Sequence, residues 1–341
     1  MPIACYDSDV AKEQVQELCK ASISASTSKV YQTAINSFLR FLSLRRLIGD
    51  CFDAGSCSIY PHVSEEHIMY FVAYCKNVLQ IKHDTIQLYL AGVKYHYLCY
   101  NHYDPLASQT TLPYVLKGVK KLQSNRPKRR MPITSLVLHK MCNLLKQGYL
   151  SPFVDCMLLC AFNLAFFGFL RCGEFTIRDT NTPVVNIVTL SDISLCPLSK
   201  YFCLTLKTSK SDPFNKGVEV KVFENCRFNP VQAMISYRGL RVKQGALAQS
   251  PLFLESEFDS SPLSRYTFIN YLRNVLSHLG YEDSQFSGHS FRIGAATSAA
   301  ASGVEDHIIK ALGRWSSDCY TRYIRLDQKI MELALNDMSE F

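Results

Sequence analysis

Apolar positions recur at helical spacing along most of the chain. From Val30 to Leu42 the residues Val30, Tyr31, Ala34, Ile35, Phe38, Leu39 and Leu42 share one face, behind the capping candidates Ser26, Thr27 and Ser28, and Lys29, Arg40, Arg45 and Arg46 lie on the other side. Such a stripe predicts an amphipathic helix that buries one face against a neighbour. Residues 1–20 are weakly amphipathic and read as a short helix or arm. Ser64, Glu65 and Glu66 open a second clear helix, with acids at the end where the helix dipole favours them. Its buried face is Ile68, Phe71, Val72, Cys75, Val78 and Leu79. A third opens at Asp84 or Thr85 and runs through Ile86, Tyr89, Leu90, Val93 and Tyr97. Pro113 in a first turn starts a fourth, to about Leu122. The pattern predicts an all-helical unit over residues 1–123.

The second half changes period. Thr134 caps a helix to about Gln147, and Phe153 to Leu170 is apolar on every side. Asp155, Asn163 and the immediately following Arg171 favour a buried core helix there over a membrane span. Val184–Leu195, Tyr201–Leu206 and Val218–Phe223 are rich in β-branched and aromatic residues between turn signals, which predicts a small antiparallel sheet. Helices resume around Pro230–Gln244 and Ser264–Leu279. The stretch Gly288 to Arg325, GHSFRIGAATSAAASGVEDHIIKALGRWSSDCYTRYIR, reads as helix, turn, helix, turn, helix, with stops at Gly303 and Gly313. The fold class is mainly α with a small antiparallel sheet. An N-terminal helical domain (1–123) and an α+β domain (134–341) are joined by a linker (124–133).

Charge sharpens this picture at one place. The chain carries a formal net charge of +8, which fits a polyanionic partner without requiring one. Between Lys117 and Arg130 lie Lys117, Lys120, Lys121, Arg126, Lys128, Arg129 and Arg130, with no acid among them. Pro127 and Pro132 keep the second half of this run extended. It suits the phosphate backbone of DNA, where each neutralised phosphate releases counterions; a solvated linker or a nuclear-localisation stretch are the competing readings. No pair among the 14 cysteines is spaced CxxC and none is followed by the paired His or Cys that a zinc site would want, and Cys156, Cys160 and Cys203 lie in apolar runs, as small buried residues in a reducing compartment would. Acids at the N-terminus, MPIACYDSDVAKEQ, stand where a signal peptide would have an apolar core.

Candidate chemistry centres on His289, Arg292 and Tyr323. A planar guanidinium can hold two non-bridging oxygens of a phosphodiester as charge builds on them. Tyrosine is an oxygen nucleophile that needs nearby positive charge or a base, and Tyr323 is flanked by Arg322 and Arg325. An HxxR pair alone is most often a solvated or hydrogen-bonded helix face, and a lone tyrosine a half-buried aromatic. Together they are far more specific. The segment closely resembles the C-terminal signature of the tyrosine recombinase (phage-integrase) family, and the wording HSFR, LGRWSSD and RYIR is most similar to the eukaryotic branch in crypton-type and DIRS-type mobile elements.

The resemblance implies a core-binding (SAM-like) domain followed by a catalytic domain, the two clamping a duplex. In GFLRCGEF, Arg171 matches the first active-site arginine and Glu174 the residue that braces it. The family's hairpin lysine, the general acid, matches Lys210 in TLKTSKSDPFNKG, with Lys207 the alternative. The family's histidine or tryptophan before the nucleophile matches Trp315, although a spacing of nine residues would select Arg314. Tyr320 competes with Tyr323 as nucleophile.

The implied reaction is attack of Tyr323 on a DNA phosphate to give a 3′-phosphotyrosyl link and a 5′-hydroxyl, without metal, ATP or any other cofactor. Arg171 and Arg292 would hold the non-bridging oxygens, His289 and Trp315 would position the phosphate, and Lys210 would protonate the leaving oxygen. The expected partner is double-stranded DNA, with no membrane and no small-molecule substrate, and the expected setting is the nucleus if the source is eukaryotic. The tail Asp327–Phe341 carries Ile330, Leu333, Ala334 and Met338 on one face. In the resembled family such a helix docks on a neighbour, which implies a homo-oligomer, dimer to tetramer, on DNA. The rival readings are a domesticated, catalytically silent DNA-binding protein, a type IB topoisomerase-like activity and a structural helical protein.

Overall fold

The stripe that begins at Val30 forms α2 (Ala25–Leu44), capped by Ser24, whose hydroxyl accepts from the Thr27 amide at 3.2 Å. The computed structural model describes residues 8–46, 60–107, 109–123, 129–178, 182–196, 200–209, 212, 214 and 216–325. The chain falls into two units, Met1–Pro127 and Lys128–Phe341.

In the first unit α2 is joined by α1 (Ser8–Ala21), α3 (Glu65–Asn77), α4 (His83–Asn101) and α5 (Leu112–Leu122). Their apolar stripes meet in one core, in which Phe38 packs edge-on against Phe71 at 4.9 Å and Tyr97 donates to the Pro61 carbonyl. Val78, expected inside, is exposed because α3 ends at Asn77 and Val78 caps it, off the buried face. The Glu65 carboxylate accepts from the amides of Thr111 and Leu112, so the first turn of α3 fixes where α5 starts. Only Leu112 and Val119 of α5 are buried, and Lys117, Lys120 and Lys121 face solvent.

The second unit is built around α7 (Pro152–Phe167), a helix buried on nearly all sides because nearly all its residues are apolar. α6 (Ser135–Lys146), α8 (Pro230–Lys243), α10 (Ser290–Ala301) and one edge of the sheet pack on it. The sheet runs β1 (Ile193–Cys196), β2 (Tyr201–Leu206), β3 (Val218–Phe223), antiparallel throughout. Phe202, Leu204, Leu206, Val220 and Val222 point inward from it. The strand expected over Val184–Leu195 is mostly not strand. Two 3-10 turns, Val184–Asn186 and Leu190–Asp192, occupy it, because the Asp192 carboxylate accepts from both the amide and the hydroxyl of Thr189 and closes the turn. A second hairpin, β4 (Leu254–Ser256) with β5 (Asp259–Pro262), precedes α9 (Arg265–His278) and was not expected.

Residues 130–133 are not linker in the structure. The amides of Met131 and Ile133 donate to the carbonyls of Gln285 and Ser290, Arg130 donates to that of Ser284, and Ile133 is fully buried in the second core. Of the basic run, Arg129 and Arg130 are exposed, and Arg126 and Lys128 lie outside the described residues. The first turns of α10 press so closely on this segment that a Cβ on Gly294 would stand 1.7 Å from the Ile133 carbonyl oxygen. Backbone cannot move aside as a side chain can. Gly294→Ala is therefore expected to cost about 1–3 kcal/mol or more, read as a lower thermal midpoint; an unchanged midpoint would show the contact to be slack.

Candidate active site

α7 and α11 (Asp306–Leu312) end in the same way, and the two ends face each other. After α7 the amides of Phe169 and Leu170 donate to the carbonyls of Phe166 and Ala165; after α11 those of Arg314 and Trp315 donate to Ala311 and Lys310. This closure puts its pivot residue in the left-handed region, where glycine is the usual choice. Here the pivots are Phe169 (φ 49°) and Arg314 (φ 55°). A glycine stands one place earlier in each case, and Gly313 is required there because the Trp315 ring folds back onto it, 1.6 Å from where a Cβ would be.

Arg171 follows directly and opens a 3-10 turn, Cys172–Glu174. Glu174 binds it twice, through the Arg171 amide at 2.9 Å and its guanidinium at 3.0 Å, and also accepts from Ser209 at 2.8 Å and Arg314 at 3.3 Å. Burial alone would raise the Glu174 pKa. Arg314, the Arg171 amide, Ser209 and Arg171 outweigh it and hold the carboxyl below its ordinary value. A cavity of about 340 Å³ opens beside this group, lined by Arg171, Glu174, Thr208, Ser209, Arg265 and His289.

His289 and Arg292 were expected on one helix face. The structure separates them by burial: His289 is the exposed residue just before α10 and lines the cavity, while Arg292 is fully buried in its first turn. The Arg292 guanidinium donates to the carbonyls of Phe169 and Gly313 and lies over the Trp315 ring at 4.2 Å. Desolvation, with Arg171 and Arg314 nearby, lowers its pKa to about 10.

Trp315 is buried and its ring also meets that of Tyr323 at 5.3 Å. The charges of Arg171, Arg314, Glu174 and Tyr323 all act on Arg292, so these groups share one neighbourhood. Tyr323 is half-buried just after the 3-10 turn Asp318–Arg322, where the sequence pattern suggested a third helix. The Thr297 hydroxyl of α10 donates to the Tyr323 carbonyl and accepts from the Arg325 amide. Tyr320 is buried, and burial with Asp306 and Asp318 raises its pKa.

The alternative hairpin lysine, Lys207, is engaged elsewhere, with Asp192 at 2.9 Å and the Ile187 carbonyl at 3.1 Å. Lys210 lies outside the described residues, as does the tail beyond Arg325; Ser209, the chain neighbour of Lys210, lines the cavity. Arg265 at the start of α9 and Ser209 on the hairpin were not singled out from the sequence; a serine in TSKS and an arginine opening a helix are ordinary surface signals.

No protein-family model and no curated protein matches the sequence. Among solved structures, the chain is similar to the XerH site-specific recombinase bound to palindromic difH substrate in a post-cleavage complex, with a TM-score of 0.62, 14% identity, and 95% of this chain and 83% of that one covered. The chain has the tyrosine recombinase fold. Two further structures with this fold extend the likeness. The Tn1549 transposon integrase in complex with circular intermediate DNA gives 0.51 at 14% identity, covering 91% of this chain and 98% of that one. A lambda integrase dimer bound to a COC′ core site gives 0.51 at 15% identity, covering 93% and 77%. The tyrosine recombinase fold thus spans both units of this chain.

Proposed function

We propose that this protein cuts and rejoins double-stranded DNA through a covalent phosphotyrosine at Tyr323. The observation that carries this reading is the gathering of Arg171, Glu174, Trp315 and Tyr323 around Arg292, beside a cavity that His289 lines. Within it Arg171 and Arg292 take the non-bridging oxygens and His289 donates to one of them from the cavity wall. The Tyr323 oxygen bonds to phosphorus as the bond to the 5′-oxygen breaks. The phenol releases a proton and Lys210 supplies one to the leaving oxygen. The phosphotyrosine stores the energy of the broken ester, so a 5′-hydroxyl from the same or another duplex can reseal it, and transfer to another duplex is recombination or integration. Trp315 acts by position, supporting Arg292 and Tyr323 at once.

A pool of random-sequence duplexes nicked beside each potential cleavage point traps such an intermediate, because the short 5′-product diffuses away. Protein carrying DNA through denaturing electrophoresis, with the link mapped to Tyr323, is the expected result; no adduct from any member of the pool sinks the reading. Full burial of Arg292 favours one rival, a protein that holds DNA without cutting it. That rival predicts salt-sensitive binding and no adduct.

For DNA contact the exposed face of α5 is the candidate, with Lys117, Lys120 and Lys121. Replacing all three by glutamine is expected to flatten the plot of log affinity against log salt by about 0.9 for each lysine that neutralises a phosphate. An unchanged slope removes this face from the contact.

A further inference from the structure

We infer that Arg314 is a third phosphate-binding arginine of the site, one that acts on the charge arising during cleavage rather than on bound DNA at rest. The inference rests on the strand-transfer reading and goes further by adding a group to the reacting centre.

Arg314 stands in a costly conformation and a costly place. Its left-handed backbone is one that glycine adopts freely, and a side chain there costs about 1–2 kcal/mol. Its side chain is 13% exposed, yet only one nitrogen, Nη2, finds acceptors: the Gly168 and Phe169 carbonyls and Glu174, at 3.2–3.3 Å. Nε and Nη1 are buried with no acceptor from the protein, and so is Nε of Arg292. Of the eight such atoms among the described residues, four belong to Arg292, Arg314 and Trp315, so the shortfall is concentrated here. Arg241, more deeply buried at 4% exposed, shows the structural alternative: no buried atom of it is left over, and the Pro251 and Leu252 carbonyls accept from it at 3.0 and 3.2 Å.

The charges do not balance either. Arg171, Arg292 and Arg314 surround Glu174, three positive groups and one negative, leaving two positive charges. Two arginines and Glu174 already match the single charge of a phosphodiester. Attack by a phenolate brings the pentacoordinate phosphorus to two negative charges, and the third arginine matches the second of these. A group whose interaction appears mainly in the transition state raises the rate of cleavage and leaves affinity little changed.

Arg314→Gly is the variant of choice, since glycine suits that backbone and the chain end of α11 keeps its closure. On a duplex recovered from the nicked pool, it is expected to slow single-turnover cleavage by about 10²–10³-fold while binding the same duplex nearly as well. With a methylphosphonate at the scissile position, which lacks the phosphate's charge, the gap between wild type and variant is expected to collapse. A gap of equal size on both substrates, or a loss of binding that accounts for the slower rate, assigns Arg314 a bracing role and overturns the inference.

If wild type forms no adduct, the strand-transfer reading fails by itself and inorganic phosphate decides on Arg314. Phosphate stabilises folded proteins in general, and equally in both chains. An excess rise in the wild-type midpoint over that of Arg314→Gly supports an anion site there, and equal rises reject it.

Discussion

Tyr323→Phe is expected to abolish the covalent protein–DNA adduct, and Tyr320→Phe to leave it. The two residues are three apart, and the RYIR context favours Tyr323 in the sequence. Their surroundings favour the same choice. A tyrosine nucleophile must lose its proton near neutral pH, against a reference pKa of about 10. Tyr320 is buried beside Asp306 and Asp318, and all three effects hold its proton on. Tyr323 is half-buried, its ring against Trp315 and close to the Arg292 guanidinium, with no carboxylate bonded to it among the described residues. Removing one oxygen from Tyr323 leaves its ring packing in place, so the variant should fold and bind DNA as wild type does. An adduct that persists in Tyr323→Phe and vanishes in Tyr320→Phe would reverse the assignment.

The second large effect is expected at Glu174. Its carboxylate, 5% exposed, answers Arg171 and Arg314 together. Glu174→Gln leaves two guanidiniums facing each other and Arg292 without compensation, a loss of about 3–5 kcal/mol for a broken buried pair. At about 2–4 °C per kcal/mol for a unit of this size, the melting temperature should fall visibly. The sign with pH follows from the depressed carboxyl. The unfolded chain takes up its proton first as pH falls, so the stability Glu174 contributes is present above the ordinary carboxylate pKa. It is lost as pH drops through the lower folded value. Wild type and Glu174→Gln should therefore melt far apart at neutral pH and converge in acid. A separation that stays constant down to pH 3 would mean that the carboxylate's charge is not what braces the arginines.

Much of the scaffold was legible in the pattern of apolar residues, because burial of a stripe is a local decision. α2 and α7, and β2 and β3 to the residue, follow from it. The segment 184–195 misled because Thr189 and Asp192 close a turn with their own side chains, and turn chemistry outweighed β-branched composition. Residues 130–133 looked like linker because a proline-containing basic run gives no hint that Ile133 anchors in a distant core. For the site, the RxxE spacing of Arg171 and Glu174 foretold their contact, since a 3-10 turn brings residues three apart together. The burial of Arg292 was not legible: its acceptors, Phe169 and Gly313, are 123 and 21 residues away and meet it only through the paired helix ends. Nor could spacing rank Trp315 above Arg314, because both side chains reach the cluster, one through its ring and one through its charge.

The hydroxyl of Thr297 stitches the backbone on both sides of Ile324 to the helix that carries Arg292. In the proposed strand transfer, nucleophile and phosphate holder would thereby be one mechanical part. A neighbouring subunit could borrow this tyrosine only by tearing that stitch and stripping the ring from Trp315, so in the proposed reaction each chain would cut the strand it holds itself.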